Sequence, residues 1–275
     1  MSPRVPATEP RQLRSLFLSD LHLGARACRP RAILDFLHAH EAETIFLVGD
    51  IFDLWHGGHA HWSPVHEAVV AELERKARMG ARVIYLAGNH DAPLRTPGAA
   101  SLPEGWELRE AVIHRTADGQ RYLVLHGDQC DPRFLRWHWM TRVGSRADAA
   151  LRALDAWLGR RIGRDDLSQS ETTIKRAIST FNGLFVMGGA FERRLVALAQ
   201  AAGMQGVVCG HSHKPGLHQV GQTVFANCGD WVDNCTALGE DQAGTLELIA
   251  WDVVPERDAV HGLAGQAGLA DERPA

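Results

Sequence analysis

The sequence predicts an α/β fold with one polar site at the ends of its strands. Five short apolar runs end in polar blocks that begin or close with Asp, Asn or His. Helical patterns at 31–40 and 65–79 lie between the first three runs. Buried strands that alternate with helices are typical of α/β proteins, in which polar loops gather where the strands end.

Composition places the chain among ordinary globular proteins. It has 275 residues, 45% of them hydrophobic and 23% charged, with a formal net charge of −4 and 15 histidines. These values exclude a mainly disordered or fibrous chain and argue against a generic nucleic-acid binder. No stretch approaches the roughly 18 apolar residues of a membrane-spanning helix, and residues 1–14 lack the apolar centre of a signal peptide. Five scattered cysteines favour reduced, buried thiols in a cytosolic protein.

Each strand is predicted from an apolar run bounded by turn residues. The five runs and the polar residues that follow them are, in chain order, 16–18 with Asp20, 45–48 with Asp50, 83–86 with Asn89, 122–125 with His126 and 207–209 with His211. Runs of β-branched and aromatic residues of this length favour buried strands. Two more strands, 223–228 and 245–251, are expected to complete the core, and a helix over 191–202 leads into the run at 207.

The segment 131–205 differs from the rest of the chain. Its apolar residues recur at helical spacing, so we expect a helical lid inserted between core segments 1–130 and 206–255, with a flexible tail over 256–275. The segment carries a net charge of +5, whereas the remaining residues sum to −9. Interleaved basic and aromatic residues suit an anionic membrane surface. The same aromatics could equally form the packed core of the lid, with the arginines in solvent.

The polar residues at the strand ends have the chemistry of metal ligands. Carboxylates, imidazoles and a carboxamide oxygen suit divalent cations such as Mn²⁺, Fe²⁺ or Zn²⁺. An Asp-x-His or His-x-His pair on extended chain puts both side chains on one face, because side chains alternate along a strand. Seven candidate ligands, with one carboxylate able to bridge, match a two-metal centre. They are Asp20, His22, Asp50, Asn89, His126, His211 and His213.

In their order along the chain, these residues resemble the calcineurin-like metallophosphoesterase superfamily. The matching blocks are Asp20-x-His22, Gly49-Asp50-x-x-Asp53, Gly88-Asn89-His90-Asp91, His126 and Gly210-His211-x-His213. The resemblance implies a four-layer αββα sandwich with a helical lid. It implies one metal held by Asp20, His22, Asp50 and His213, and a second held by Asp50, Asn89, His126 and His211.

The same resemblance implies a catalytic pair. His90 lies beside Asn89, where it could protonate the leaving oxygen or stabilise developing charge. Asp53 follows the bridging Asp50 by three residues and is expected to orient His90. For Asp91, a supporting or turn role is at least as consistent as a direct one.

Further motifs resemble one branch, the UDP-2,3-diacylglucosamine diphosphatase family of the lipid A pathway. They are SDLHL at 19–23, GDIFDLW at 49–55, GHSHKP at 210–215 with His218, and GDW at 229–231. The interval of 85 residues between His126 and His211 fits the lid of that family. The chain has His90 where its best-known members have Arg, and it lacks their paired aspartates after His126. Both departures indicate a paralogous branch.

This second resemblance implies a hydrolase that cleaves the pyrophosphate of UDP-2,3-diacylglucosamine or a similar nucleotide-linked lipid, releasing UMP and a lipid phosphate. We expect two divalent ions, Mn²⁺ first, with Fe, Zn or Mg as alternatives. The expected location is cytoplasmic and peripheral on the inner face of the cell membrane. Asn89, Trp55 and Lys175 are predicted substrate contacts, although Trp55 could equally be structural. Nucleic acid is not expected as a substrate, and no protein partner is predicted.

Two other functions stay open from the sequence. The same metals could act on a different phosphodiester or phosphomonoester. The fold could also serve as a non-catalytic interaction module, for which eroded ligands would be expected, whereas every block here is complete.

Two further groups of residues lie outside these blocks. The histidines at 56, 59, 61 and 66 could form a second metal site, but their irregular spacing favours an exposed rim. The stretch 225–238, which contains Cys228 and Cys235, is predicted to be a hairpin beside the site rather than a redox pair.

Overall fold

A computed structural model describes residues 9–54, 61–96, 102–130 and 191–252. The strands within these ranges are β1 (Arg11–Leu18), β2 (His40–Val48), β3 (Arg82–Leu86), β4 (Glu107–Arg109), β5 (Ala111–Arg115), β6 (Arg121–Leu125), β7 (Gly206–Cys209), β8 (Gly216–Val220), β9 (Thr223–Asn227), β10 (Thr236–Glu240) and β11 (Leu246–Ala250). The helices are α1 (Pro30–Ala39), α2 (Pro64–Arg78) and α3 (Phe191–Ala201), and 3₁₀ turns occur at Ala92–Arg95 and Asp128–Cys130.

The strands form two sheets. The first has the order β11-β10-β1-β2-β3-β4, and the second has the order β5-β6-β7-β9-β8. Strands β1 to β4 pair in parallel, as do β6, β7 and β9, while β5, β8, β10 and β11 pair antiparallel to their neighbours. The parallel strands of each sheet therefore end at a common edge, which is where α/β proteins place their polar loops.

Because side chains alternate along the strands, the hydrophobic core has three layers: one between α1, α2 and the first sheet, one between the two sheets, and one between the second sheet and α3. Leu16, Ile45 and Tyr85 of the first sheet pack against α1 and α2. Their neighbours along the strands face the second sheet, where the rings of Phe17 and Phe46 stack with centroids 4.6 Å apart. The outer face of the second sheet packs against α3. The order is helices, sheet, sheet, helix, so the predicted αββα sandwich is confirmed.

The predicted elements of the core agree closely with the structure. The helices expected at 31–40, 65–79 and 191–202 are α1, α2 and α3, and all seven predicted strands are present. Three strands, β4, β5 and β8, were not expected, and β10 overlaps the second half of the hairpin predicted over 225–238. Most of the predicted lid, 131–190, and the predicted tail lie outside the described residues. Among the described residues, no helix has the length and hydropathy that crossing a bilayer requires.

The prediction of a hairpin over 225–238 is wrong. Strand β9 lies in the second sheet and β10 in the first, so the intervening turn carries the chain from one sheet to the other. Local pattern shows two strands separated by a turn but does not show which sheet each strand joins. Cys228 and Cys235 are both free thiols on this connection, as expected.

Candidate metal centre

The polar blocks lie on loops that hydrogen-bond to one another at the common edge of the two sheets. The backbone N–H of Asp20 donates to the carbonyl of Gly49 at 3.0 Å, and that of His22 donates to the carbonyl of Asp50 at 3.0 Å. In the second sheet, the N–H of Gly210 donates to the carbonyl of His126 at 3.0 Å. These backbone contacts join the loop after β1 to the loop after β2, and the loop after β6 to the loop after β7.

A first group of possible ligands consists of Asp20, His22 and His213, whose donor atoms all lie within 4.8 Å of one another. Oδ1 of Asp20 is 3.1 Å from Nε2 of His213 and 3.8 Å from Nε2 of His22. The two ring nitrogens are 3.4 Å apart. Asp20 and His22 are buried, while His213 is partly exposed, so the group opens to one side.

Asp20 provides the test of whether a cation fits this group. Its Oδ2 accepts hydrogen bonds from the hydroxyl of Ser19 and from the N–H of His211. Its Oδ1 is buried and has no hydrogen-bond partner, although it faces the two imidazole nitrogens. A buried carboxylate oxygen without a partner is costly. A divalent cation between Oδ1 and the two rings would satisfy it, so the residues fit a metal.

A second group consists of Asp50, His126 and His211, again within 4.8 Å. Nδ1 of His126 donates to the carbonyl of Val48 at 2.8 Å, because a carbonyl can only accept. Nε2 of His126 then faces two acceptors, Oδ2 of Asp50 and Oδ1 of Asn89, each at 3.3 Å. A backbone hydrogen bond that fixes the tautomer is typical of histidines that bind metal through the other nitrogen. Asn89 thus joins this group as a fourth possible ligand.

The charges of the two groups depend on one another. Burial lowers the pKa of His126, but the charge and hydrogen bond of Asp50 outweigh burial and raise it to about 10. Burial would raise the pKa of Asp50, yet His126 and the N–H of His90 hold it below its usual range. The close approach of the Asp20 carboxylate raises the pKa of His213, whereas burial lowers that of His22. Positive charge is therefore favoured beside both carboxylates, those of Asp20 and Asp50.

The backbone at the site is strained. Asp20, His22, Asp50, His211 and His213 have φ values of 53°, 48°, 52°, 64° and 55°. Only one other described non-glycine residue has a positive φ. Left-handed backbone is unfavourable for residues with a Cβ and is concentrated at functional sites, where the surrounding fold enforces it. The strained backbone therefore sets the direction in which the side chains of both groups point.

Glycines provide the space that these side chains need. A Cβ on Gly88 would lie 2.1 Å from Oδ1 of Asp50, and one on Gly210 would lie 1.7 Å from Oγ of Ser19. Gly49 has φ of 83°, and a Cβ there would lie 2.3 Å from the ring of His126. The glycines in the sequence blocks are therefore required by close approach.

His90 and Asp53 form the predicted pair. Nδ1 of His90 lies 3.0 Å from Oδ1 of Asp53, and the backbone N–H of His90 donates to Oδ1 of Asp50 at 2.8 Å. The His90 ring stands edge-on to His22 with centroids 4.6 Å apart. It is also partly exposed. The pair is thus placed at the open side of the first group, with Asp53 orienting the ring.

Asp91 supports the site rather than facing it. Its buried carboxylate accepts from the backbone N–H groups of Ile51, Phe52 and Gly88 at 3.1, 2.9 and 3.2 Å. These bonds join the loop that carries Asp50 to the loop that carries Asn89. Burial, followed by the nearby Asp50, raises the pKa of Asp91. The supporting role considered for Asp91 fits these contacts.

Two residues beyond the sequence blocks position the loop of His211 and His213. Nδ2 of Asn227 donates to the carbonyl of Gly210 at 2.9 Å. Oδ1 of Asp230 accepts from several backbone N–H groups of the following turn, and its Oδ2 lies 3.8 Å from Nδ1 of His213. The GDW motif was the only sequence signal for Asp230, and no pattern singled out Asn227.

Other predicted residues have different outcomes. Trp55 and Lys175, the predicted substrate contacts, lie outside the described residues, as do His56 and His59. His61 is exposed and accepts from Nε of Arg26, which fits the expected rim. His66 does not fit it, because His66 is buried and its Nδ1 accepts from the N–H of Ser63 at the start of α2.

Comparisons with known proteins place this geometry in context. The family model for calcineurin-like phosphoesterases matches residues 13–215. A UDP-2,3-diacylglucosamine hydrolase from Ralstonia nicotianae is 31% identical over 224 residues, covering 74% of this chain and 78% of its own length. One from Cellvibrio japonicus is 28% identical, covering 88% of this chain and all of its own.

Solved structures with similarity to the chain have low identity. A Vps29 variant from Entamoeba histolytica has a TM-score of 0.39 at 14% identity and covers 86% of this chain and 99% of its own. An archaeal phosphodiesterase has a TM-score of 0.41 at 16% identity and covers 86% of this chain and 98% of its own.

Proposed function

Because this chain belongs to the calcineurin-like phosphoesterase family, we propose that it cleaves the pyrophosphate of UDP-2,3-diacylglucosamine or a similar nucleotide-linked lipid. The family and the relatives make it a metal-dependent phosphoester hydrolase. The specific reaction would release UMP and a lipid phosphate. The observation that carries the proposal is the pair of adjacent ligand groups, one of which contains a buried carboxylate oxygen without a partner.

We assign one metal to Asp20, His22, Asp50 and His213. The second is assigned to Asp50, Asn89, His126 and His211. The shared role of Asp50 is supported by its effect on both groups. Burial lowers the pKa of His22 and the charge of Asp50 opposes that shift, while the same charge contributes to the raised pKa values of His213 and His126. Histidine and carboxylate ligands suit Mn²⁺, Fe or Zn, and Mn²⁺ is our first choice.

The metals and the protein side chains would have different roles in the reaction. Two bound metals would supply Lewis acidity toward the phosphoryl oxygens and a water nucleophile at neutral pH. His90 would give a proton through Nε2 to the oxygen of the leaving group, while its Nδ1 donates to Asp53. Asp53 keeps the ring in this orientation. Asn89, next to His90 in the chain, would contact a substrate oxygen.

The surface beside His90 supports a substrate with an apolar part. Leu54, whose N–H donates to the carbonyl of His90 at 3.3 Å, is 39% exposed, and Trp62 is 43% exposed. These are two of five large apolar side chains exposed among the described residues. The ring centroids of Trp62 and Phe52 are 6.3 Å apart, and Phe52 directly precedes Asp53 in the chain. Apolar side chains at the edge of a charged site fit an amphiphilic substrate.

The relatives add a separate line of support, because their names state hydrolysis of UDP-2,3-diacylglucosamine. The net charge of +5 over residues 131–205 is consistent with an anionic lipid surface. We therefore propose that the enzyme works in the cytoplasm, peripherally on the inner face of the cell membrane.

The substrate is tested by incubating purified, Mn²⁺-loaded protein with UDP-2,3-diacylglucosamine and measuring UMP. UDP-glucosamine, which lacks the acyl chains, is the matched substrate control, and an aryl phosphodiester is the general one. We expect UMP from the diacylated substrate at a kcat/KM well above that for UDP-glucosamine. Rapid cleavage of the aryl phosphodiester without UMP would instead favour an enzyme for another phosphoester.

The metal assignment is tested by elemental analysis after dialysis. The wild type should hold two metals per chain, and Asp50→Ala should lose most of both, because both sites share this carboxylate. Asp35→Ala, an exposed aspartate on α1, is the matched control and should hold two. Full occupancy in Asp50→Ala would contradict a shared role for Asp50.

A further inference from the structure

Arg95 lies between the ends of the two sheets, at the last position of the 3₁₀ turn Ala92–Arg95. Its Nη2 donates to the carbonyl of Ala87 at 2.6 Å. Its Nη1 and Nη2 donate to the two carboxylate oxygens of Asp128 at 3.0 and 3.3 Å, and Nε lies 3.2 Å from Glu110. One guanidinium thus contacts three separate chain segments, which we call the Arg95 cluster.

Two of these segments carry the proposed second metal site. Ala87 follows β3 of the first sheet and precedes Asn89 by two residues. Asp128 follows β6 of the second sheet and comes two residues after His126. Oδ1 of Asn89 and Nε2 of His126 are 3.3 Å apart. The first metal group has no member on either segment, so the Arg95 cluster links two ligands of the second metal and none of the first.

The contacts in the Arg95 cluster are strong enough to hold these segments together. Asp128 is 7% exposed, and a buried carboxylate without a partner is strongly unfavourable. A two-pronged Arg–carboxylate pair fixes orientation as well as distance, and the same guanidinium also binds a backbone carbonyl. Lysine could not make all of these contacts, because it offers a point charge rather than a planar fork.

We propose that Arg95 is a positioning residue for the second divalent cation. It fixes the separation between the loop of Asn89 and the loop of His126, although it binds no metal itself. The inference rests on the proposed two-metal function. It predicts that the two metals respond differently when Arg95 is replaced, which a general loss of stability would not produce.

The test compares Arg95→Gln with Arg82→Gln by equilibrium dialysis against Mn²⁺. Arg82 makes a similar two-pronged pair with Glu107, but at the start of β3, away from the site. In Arg95→Gln, we expect the second metal to bind 10- to 100-fold more weakly, as is typical when support for a ligand is removed. The first metal should bind as in the wild type, and Arg82→Gln should bind both normally.

Electron paramagnetic resonance supplies a readout of the paired centre. At two equivalents of Mn²⁺, the wild type should give the spectrum of two coupled ions, and Arg95→Gln that of isolated ions. Excess Mn²⁺ should restore the coupled spectrum in the variant. Asp128→Asn should weaken the second metal as Arg95→Gln does, and the double variant should be no worse than Arg95→Gln, because Asp128 acts through its contact with Arg95.

The outcomes separate the inference from the proposed function. Unchanged binding of both metals in Arg95→Gln would overturn the inference, and so would equal weakening of both metals. A wild type that binds fewer than two metals would contradict the proposed function itself. Retention of the first metal in Arg95→Gln would also show that this variant is folded.

Discussion

Replacing Gly88 with alanine should weaken both metals through a single methyl group. The new Cβ would lie 2.1 Å from Oδ1 of Asp50 and 2.5 Å from its backbone nitrogen. Non-bonded heavy atoms settle at about 3.5 Å, so Asp50 must retreat by roughly 1 Å or more. That oxygen also accepts from the N–H of His90 at 2.8 Å, so the movement would disturb His90 as well.

The expected magnitudes follow from this displacement. Overpacking a tightly packed position costs about 1–3 kcal/mol of folding free energy. For a chain of this size, about 2 kcal/mol corresponds to a fall in Tm of roughly 4–8 °C. Displacing Asp50, the ligand that we propose both metals share, should weaken each of them about 10- to 100-fold. This shared loss differs from the selective loss expected for Arg95→Gln.

Thermal unfolding and Mn²⁺ dialysis of Gly88→Ala provide the assay. Gly216→Ala is the matched control, because a Cβ there meets nothing closer than 3.7 Å, and its backbone is not left-handed. The control should match the wild type in Tm and in metal content. If Gly88→Ala held two metals with wild-type affinity and an unchanged Tm, the steric reasoning would be refuted.

Three further predictions concern other contacts. Asp53→Asn should lower kcat about 10²-fold by weakening the hold on His90, within the range of general acid catalysis, with unchanged metal content; equal kcat would contradict the pair. Asp91→Ala leaves three N–H groups, two of them buried, without their acceptor, so urea unfolding should show a loss of about 3 kcal/mol or more; a loss below about 1 kcal/mol would contradict that role. Burial raises the pKa of Glu240, but hydrogen bonds led by that from His114 outweigh burial and lower it to about 2. Ionised Glu240 therefore stabilises the folded state fully above the ordinary pKa of 4.5, and this stabilisation of about 3 kcal/mol is lost as the pH falls toward 2. Glu240→Gln should flatten the plot of unfolding free energy against pH over this range. A slope identical to that of the wild type would contradict this role of Glu240.

The fold was predictable where a strand carries its own apolar signal. Runs such as 45–48 have side chains that are buried on both faces, so they read as strands without any knowledge of their neighbours. Strand β10 does not, because its sequence TALGE ends in a buried glutamate. Glu240 is buried only because Arg14 and His114, from distant positions, hydrogen-bond to it. No local pattern contains that information.

The candidate site was predictable to the extent that its ligands directly follow strands. Asp20, Asp50 and His126 occupy positions that the sequence alone indicated. The supporting residues were harder to find, because Asn227 and Arg95 act through backbone carbonyls, which any residue presents. The role of His66 was missed for a related reason: a histidine that accepts a hydrogen bond at a helix start has no distinctive spacing.

The bond between the His211 amide and the Asp20 carboxylate spans 191 positions of the chain, which has a consequence for biosynthesis. During translation, β1 to β3 emerge early, but the second ligand group is complete only when His211 has left the ribosome, and the first only when His213 has. Strand β1 also cannot pair with its neighbour β10 until β10 has been synthesised, and pairing of strands so far apart in the sequence is slow. A nascent chain should therefore capture metal only after His211 has been synthesised, which would keep shorter nascent chains from acting on phosphoesters.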